Sequence, residues 1–260
     1  MSYDKVVDSS VLDAGLKQIA DAIRAKTGVS DNLEFPNAMV EAINTIESGG
    51  SSDNSKLNAL IDRSITEISS DVISIGLNAF SNCATLMTAN FPVATSVENN
   101  AFANCTTLIT ANFPVATSIG HNTLSYCTSL TTVNLPAATS IGNSTFNGCT
   151  SLTTVNLPAA KSIGIGAFGN CHSLTALILR SETRCTLDRN AFTKCYHILG
   201  TVDTTYNPDG LKDGYIYVPS ALVEAYQTSS NWSDYSTQFR ALEDYTVDGT
   251  ITGELDPNKI

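Results

Sequence analysis

Formal charge is scarce in the middle of this chain. Between Val72 and Ala160 the only Asp, Glu, Lys or Arg residue is Glu98, whereas most of the 25 Asp and Glu and 14 Lys and Arg side chains lie toward the two ends. Binding of nucleic acid requires clustered Lys and Arg side chains that contact phosphates, so the sequence predicts no nucleic-acid partner. A run of 18 apolar residues is also missing, and we therefore expect no membrane insertion.

Sequence motifs for catalysis are missing too. H-E-x-x-H, G-x-S-x-G and C-x-x-C are not found, and the neutral middle lacks a carboxylate pair for acid–base catalysis. Residues 164–169 do spell the dinucleotide-binding pattern G-x-G-x-x-G. They are also part of a repeat described below, and no crossover helix follows them. We predict a protein that is not an enzyme and that holds no cofactor and no metal.

What the chain does have is a repeat with a strict period. Five cysteines lie 22 residues apart, at Cys83, Cys105, Cys127, Cys149 and Cys171. An aromatic residue or leucine precedes each by three positions, at Phe80, Phe102, Leu124, Phe146 and Phe168. A period near 20 residues is typical of a solenoid, in which each coil buries its apolar side only against its neighbours.

One coil can be divided into three short segments. Residues 130–136 are predicted to form a strand, with Val133 and Leu135 on one side and Thr132 and Asn134 on the other. Pro136 ends this strand because proline cannot donate to a ladder. Residues 138–142 form a second extended piece, and residues 144–149 are predicted to form a helical or 3₁₀ turn.

These residues resemble the BspA-type leucine-rich repeat, whose pattern L-x-x-V-x-L-P-x-x-x-x-I-G-x-x-A-F-x-x-C recurs over roughly residues 62 to 200. The resemblance implies a right-handed solenoid with a parallel β-sheet on one face and short helical turns. It implies no chemistry, because members of the family are mostly surface or secreted interaction proteins. We therefore expect a leucine-rich repeat solenoid at residues 57–200.

The two ends of the chain differ from the repeat. Residues 8–27 are predicted to form an amphipathic helix with an apolar stripe for attachment or oligomerisation. That stripe consists of Leu12, Leu16, Ile19 and Ile23. A second helix begins after Pro36, so that residues 1–47 form a helical attachment module, and residues 48–56 form a flexible linker rich in Ser and Gly.

The carboxy-terminal residues 201–260 are predicted to form a small α/β cap with a tail hairpin. Residues 215–219 should form a strand, and Ser220 should cap a helix through Tyr226. A second helix is expected from the segments around Trp232 and Phe239, with Trp232 in the core of the cap. Asp248-Gly249 is typical of a hairpin turn.

The amino-terminal residues also resemble a module of phage and prophage tail-associated proteins. The resemblance is carried by the segment from Leu16 to Gly28, by Phe35-Pro36 and by the segment from Ala42 to Ile46. It implies attachment to phage tail or baseplate components through residues 1–47, with a possible homo-oligomer. The first residues lack a secretory signal, so we expect synthesis in the cytoplasm and location in a virion tail. A cytoplasmic or released extracellular protein is the alternative.

Seven cysteines raise the question of disulfides. Neighbouring coils stand at a strand spacing of about 4.8 Å, which a disulfide could span. Side chains stacked along a ladder point in parallel rather than at each other, and an odd number leaves one cysteine unpaired. We predict reduced, buried cysteines that pack as small apolar residues.

The candidate recognition face consists of two polar columns on the outward side of the repeated strand. The columns are Thr88, Thr110, Thr132, Thr154 and Asn90, Asn112, Asn134, Asn156. Hydroxyl and amide groups suit sugar hydroxyls and peptide backbones, so the predicted partner is a cell-surface glycan or protein. Three alternatives stay open: solvated strand residues that bind nothing, a spacer whose solenoid only sets length, and a threonine array that orders water as on ice-binding solenoids.

Overall fold

The computed structural model describes residues 65–200, 203–247 and 250–251. Its strands and helices occur in the following order: β1 (Glu67–Ser69), β2 (Ser74–Ile75), β3 (Thr88–Asn90), β4 (Ser96–Val97), β5 (Thr110–Asn112), β6 (Ser118–Ile119), β7 (Thr132–Asn134), β8 (Ser140–Ile141), β9 (Thr154–Asn156), β10 (Ser162–Ile163), β11 (Ala176–Ile178), β12 (Thr186–Leu187), α1 (Tyr196–Leu199), β13 (Tyr215–Val218), α2 (Val223–Gln227), β14 (Phe239–Ala241), β15 (Thr246–Val247) and β16 (Thr250–Ile251). The predicted helices and stripe of residues 1–47, and the linker 48–56, lie outside the described residues.

Each coil contributes one strand to each of two parallel arrays. The odd-numbered strands from β1 to β11, here called the front strands, pair in register within two groups, β1 to β7 and β9 to β11, so that Asn112 pairs with Asn90 and with Asn134. The even-numbered strands β2 to β12 form one six-stranded second sheet. The chain is therefore a solenoid of parallel strands with its core between the two arrays, as the sequence predicts.

The core is a set of columns that repeat from coil to coil. The apolar side chains at equivalent positions of successive coils are buried, and so are all the phenylalanine rings in the described residues. The Phe146 and Phe168 rings lie parallel with centroids 5.4 Å apart, and Phe168 stacks on Phe192 at the same distance. Leu124 takes the place of phenylalanine between two such stacks and is itself fully buried.

The segments predicted as short helical turns are single hydrogen-bonded turns. The N–H of Asn147 donates to the carbonyl of Ser144 at 3.1 Å, and Cys149 donates in the same way to Phe146 at 3.0 Å. Left-handed residues separate these turns, with φ of 54° at Ser144 and 77° at Gly148. A left-handed residue cannot continue a right-handed helix, so the chain reverses within six residues.

The carboxy-terminal cap continues the front strands. β13 pairs in parallel with β11, and β14 pairs in parallel with β13. Trp232 is buried as predicted, and its Nε1 donates to the carbonyl of Cys185 at 2.8 Å. β15 and β16 pair antiparallel, which confirms the predicted tail hairpin.

The predicted helix does extend through Tyr226, as α2, but two other predictions for the cap are wrong. Ser220 lies inside a 3₁₀ helix, Ser220–Leu222, whose N-cap is Pro219. Its N–H donates to Glu243 Oε2 at 2.9 Å, so the start of this helix depends on a side chain 23 residues away. Phe239 begins a strand instead of continuing a helix, because the edge of β13 provides hydrogen-bond partners for it.

The stacked core yields a first testable prediction. Replacing Phe146 with Ala should lower the free energy of unfolding by about 3–5 kcal/mol, since it leaves a cavity between adjacent coils. The matched control is Thr132→Ala on the outward side, which should change stability by no more than about 0.5 kcal/mol. Chemical denaturation measures both. Equal shifts would contradict the assignment of inward and outward positions.

Candidate binding face

The outward side chains of the front strands, here called the front face, include all eight residues of the predicted recognition columns. Those on β3, β5 and β7 lie on one continuous sheet, and Thr154 and Asn156 lie on the next. Between the two columns a buried residue, such as Ala89 or Ala111, points into the core. Alternation along a strand therefore places the threonine and asparagine columns side by side on the surface.

The asparagine column forms a hydrogen-bonded ladder. Asn112 Nδ2 donates to Asn90 Oδ1 at 2.6 Å, and Asn134 Nδ2 donates to Asn112 Oδ1 at 2.7 Å. Asn90 Nδ2 continues the ladder to Ser69 Oγ at 3.1 Å. Each amide in the ladder keeps one N–H and one lone pair for an external partner. The column therefore holds the coils together as well as facing outward. The repeat pattern alone does not reveal these hydrogen bonds between coils.

The threonine column behaves differently. The hydroxyls of Thr88, Thr110, Thr132 and Thr154 make no hydrogen bond to any group in the part of the chain that the structure describes. Threonines beside the second sheet do make such bonds: Thr95 Oγ1 donates to the carbonyl of Ile73 at 3.2 Å, and Thr139 Oγ1 to that of Thr117 at 3.1 Å. The free hydroxyls of the front face are thus the groups most available to a ligand.

Apolar side chains border these columns at one end only. Met87 and Ile109 are exposed at the position just before the front strand. The same position is occupied by Thr131 and Thr153 in later coils. The border of the front face therefore changes along the array from apolar to hydroxyl-bearing.

The front face carries no formal charge between its first coil and β9. The single charged residue in that stretch, Glu98, follows β4 on the second sheet. Its Oε2 accepts a hydrogen bond from the N–H of Leu77 at 3.0 Å, which ties two coils together. A ligand at the front face would be bound through hydrogen bonds and shape rather than through ion pairs.

The cysteines form a second ladder inside the core. All seven are buried free thiols, as predicted. Cys105 Sγ donates to the carbonyl of Phe80 at 3.0 Å, and Cys149 Sγ donates to that of Leu124 at 3.2 Å. Burial raises the pKa of Cys149 well above its usual value and raises the pKa of Cys185 to about 12.

Metal binding and nucleophilic attack both require the thiolate. The raised pKa values keep Cys149 and Cys185 protonated at neutral pH, and the other thiols are enclosed in the core, so the cysteines are unsuited to either role. In residues 65–200 and 203–247, no cluster of three or more His, Cys, Asp or Glu side chains could hold a metal ion. Nor does this part of the chain contain a helix long and apolar enough to cross a membrane.

A cluster of rings near the cap was not predicted from the sequence. The His172 ring lies 4.0 Å from the Tyr206 ring and 5.1 Å from the Tyr196 ring, measured between centroids. Burial lowers the pKa of His172, so the imidazole is favoured in its neutral form. The cluster joins the last coil to the loop before β13. Histidine and tyrosine at single, non-repeated positions give no pattern from which their contact could be predicted.

A parallel-strand solenoid with a 22-residue coil defines a class of leucine-rich repeat protein. The chain belongs to the BspA-type leucine-rich repeat family, whose model matches in six copies over residues 57–160 and 117–207. No curated protein matches the sequence.

Several solved structures are similar to this chain. A leucine-rich repeat protein of Treponema pallidum is 32% identical over 42% of this chain and 53% of its own, with a TM-score of 0.41. A leucine-rich repeat protein of Eubacterium ventriosum is 24% identical, covering 60% of this chain and 42% of its own, with a TM-score of 0.45. A leucine-rich cell surface protein of Faecalibacterium prausnitzii is 26% identical, covering 62% and 45%, with a TM-score of 0.41. This chain therefore spans about half the length of those structures.

The asparagine ladder yields a second prediction. Replacing Asn112 with Ala removes two side-chain hydrogen bonds and should lower the free energy of unfolding by about 1–2 kcal/mol. The control Thr110→Val keeps the branched shape and removes only a free hydroxyl, so it should change stability by no more than about 0.5 kcal/mol. Denaturation curves compare the two variants. An Asn112→Ala protein as stable as the control would mean that the ladder contributes nothing.

Proposed function

We propose that this chain is a non-enzymatic recognition protein that binds a neutral partner, a cell-surface glycan or protein, through the front face. The observation that supports this most directly is the column of free hydroxyls at Thr88, Thr110, Thr132 and Thr154, next to amides that each keep a donor and an acceptor. These hydroxyls bind water in the free protein, and a ligand can replace that water without breaking a bond within the described chain.

The rigidity of the face also supports binding. From β3 to β7, backbone pairing and the asparagine ladder fix the side chains of successive coils at one strand spacing, about 4.8 Å. Groups held in place before a ligand arrives lose little freedom on binding, so more of the interaction energy appears as affinity. A repeated array also presents the same contact several times, which suits an oligomeric ligand.

A non-enzymatic role is supported by what the face offers chemically. Acid–base catalysis requires a titratable group near the reacting atom. The Thr and Asn side chains of β3 to β9 do not titrate near neutral pH, whereas the carboxylate Glu67 lies on β1 at one end of the array and Glu98 directly follows β4 of the second sheet. The thiols lie in the core, where burial raises the pKa of Cys149 and of Cys185.

We further propose that the protein is carried on a phage or prophage tail, with residues 1–47 attaching it and the solenoid facing outward. The support is the resemblance of residues 1–47 to tail-associated modules. The repeat begins only at residue 57, so the preceding residues are available for another task. A bacterial interaction protein of the same family without a virion role is the alternative. The asparagine ladder, which serves coil stacking, favours a spacer as the further candidate.

Binding by the front face can be tested with charge insertions. The double variant Thr110→Lys/Thr132→Lys should reduce binding of the chain to bacterial cells at least tenfold, because bulky cations replace small hydroxyls. The control Thr95→Lys/Thr117→Lys places the same charges beside the second sheet and should bind like the unmodified chain. Binding of the unmodified chain should depend weakly on salt, since neutral groups are not screened. An equal loss of binding in both variants, or a steep dependence of binding on salt, would contradict binding through the front face.

The attachment role makes a separate prediction. A chain that lacks residues 1–47 should keep a folded solenoid, because each coil depends only on its neighbours. It should lose self-association, since the stripe that includes Leu12 and Leu16 is removed with the module. Sedimentation velocity compares the two chains. The same oligomer in both would show that the module does not mediate assembly.

A further inference from the structure

The front strands are interrupted once, between β7 and β9. They form one sheet in the order β1-β3-β5-β7 and another that begins at β9. In other coils, the carbonyl of the residue before a front strand accepts a hydrogen bond from the first residue of the equivalent strand in the next coil. The N–H of Thr132 donates in this way to the carbonyl of Ile109 at 3.1 Å, and the N–H of Ala176 to that of Thr153 at 3.1 Å. Among the described residues, the equivalent hydrogen bond from the N–H of Thr154 to the carbonyl of Thr131 is not formed. We call this interruption the seam.

Other bonds are lost at the same place. The N–H groups of Phe113 and Leu157 donate to the next coil, at 3.0 and 2.9 Å, but within the described residues Leu135 N–H has no such acceptor. The asparagine ladder also stops: Asn134 donates back to Asn112, whereas Asn156 donates to no residue that the structure describes. Both the backbone and the side-chain hydrogen bonds that join other neighbouring coils are therefore missing between β7 and β9.

The opening is confined to the front. On the opposite side of the same two coils, Ser140 pairs with Ser162 and Ile141 with Ile163 in the second sheet. The turns stay joined too, since Phe146 N–H donates to the carbonyl of Ala167 at 2.8 Å. The two coils are therefore hinged at the back and separated at the front, which makes the seam a shallow cleft.

The cleft changes the exposure of the recognition columns. Thr132, Asn134, Thr154 and Asn156 are all exposed, whereas the equivalent residues on β3 and β5 are all half-buried. The floor is also different. Val133 is partly exposed, whereas the equivalent Ala89 and Ala111 are completely buried.

We infer that this cleft between β7 and β9 is the main contact point for a neutral saccharide, an inference that rests on the proposed function of the front face. Ligand sites combine an apolar surface with a few convergent polar groups. Val133 supplies the apolar surface, and the hydroxyls of Thr132 and Thr154 supply both donors and acceptors. The N–H groups of Leu135 and Thr154 add donors whose usual acceptors are missing.

A sugar ring suits these groups because it has hydroxyls along its edge and a C–H face that can pack on Val133. Its neutrality matches the surrounding surface, where Glu98 is the only charge from residue 72 to residue 160. An extended peptide suits the cleft less well. To pair with both β7 and β9 it would need two strand spacings between them, about 9.6 Å, whereas the intact pairing of β8 with β10 holds the backs of the two coils at one spacing and so limits how far the front strands can separate.

The experiment compares two pairs of isosteric substitutions on the same face. Thr132→Val/Thr154→Val removes the two hydroxyls at the seam, and Thr88→Val/Thr110→Val removes two hydroxyls from the intact sheet. Binding of each chain is measured on one array of neutral oligosaccharides and one of linear peptides. The seam variant should lose affinity for oligosaccharides about tenfold or more. The Thr88→Val/Thr110→Val variant, on the same face but away from the seam, should lose markedly less affinity than the seam variant, and the control Thr139→Val beside the second sheet should stay within about twofold of the unmodified chain.

Each result decides something different. Equal losses in the two variants would overturn the seam as the contact point and leave the proposed function standing. Binding of the unmodified chain to peptides alone would overturn the saccharide and keep recognition of a protein. Binding to neither array would overturn the saccharide site together with glycan or peptide recognition by the front face.

Hydrogen exchange tests the seam without any ligand. The amides of Leu135 and Thr154 should exchange at least tenfold faster than the equivalent amides of Phe113 and Thr132, which are bonded to the next coil. Exchange rates measured by NMR on the full chain resolve these four positions. Equal protection would mean that the front strands are continuous and would remove the basis of the inference.

Discussion

The stacking of one coil on the next in strict 22-residue register is the constraint on which the rest of the molecule depends. A single coil has too small a core to offset the entropy of ordering its chain. It is stable only because apolar side chains stack from coil to coil, as Ile119 does on Val97, and because the strands of the second sheet pair without a break. Every other feature, from the buried thiols to the outward columns, inherits its position from this register.

Because the coils stack in register, equivalent side chains form columns. The side chains of a column either bond to the neighbouring coil or remain available to a ligand. The thiols and the asparagine amides serve stacking, because Cys105 reaches a carbonyl of the preceding coil and Asn112 reaches Asn90. The hydroxyl of Thr110 occupies the same strand as Asn112 but makes no such bond among the described residues. Neighbouring columns of equally polar residues thus differ in what they can offer.

Predictions from the sequence succeeded where the repeat decides the structure. The inward positions, the strand at Thr132–Asn134 and the free, buried thiols follow from period and alternation alone. They failed in the cap, where no repeat constrains the chain. Ser220 resembles a capping residue locally, and Phe239 resembles a helical one. Their structures depend instead on Glu243 and on the edge of β13, partners that a local pattern does not contain.

The sequence by itself determined the coil, the side chains that face the core and the neutral character of the outward face, because these depend on period and on residue type. Only the tertiary structure decided which outward groups are already bonded and where the front strands separate. The pattern of residues runs through Thr132 and Thr154 as regularly as through Thr88 and Thr110. Hydrogen bonds between coils depend on distance and angle to within a few tenths of an ångström, and a periodic sequence does not fix those quantities.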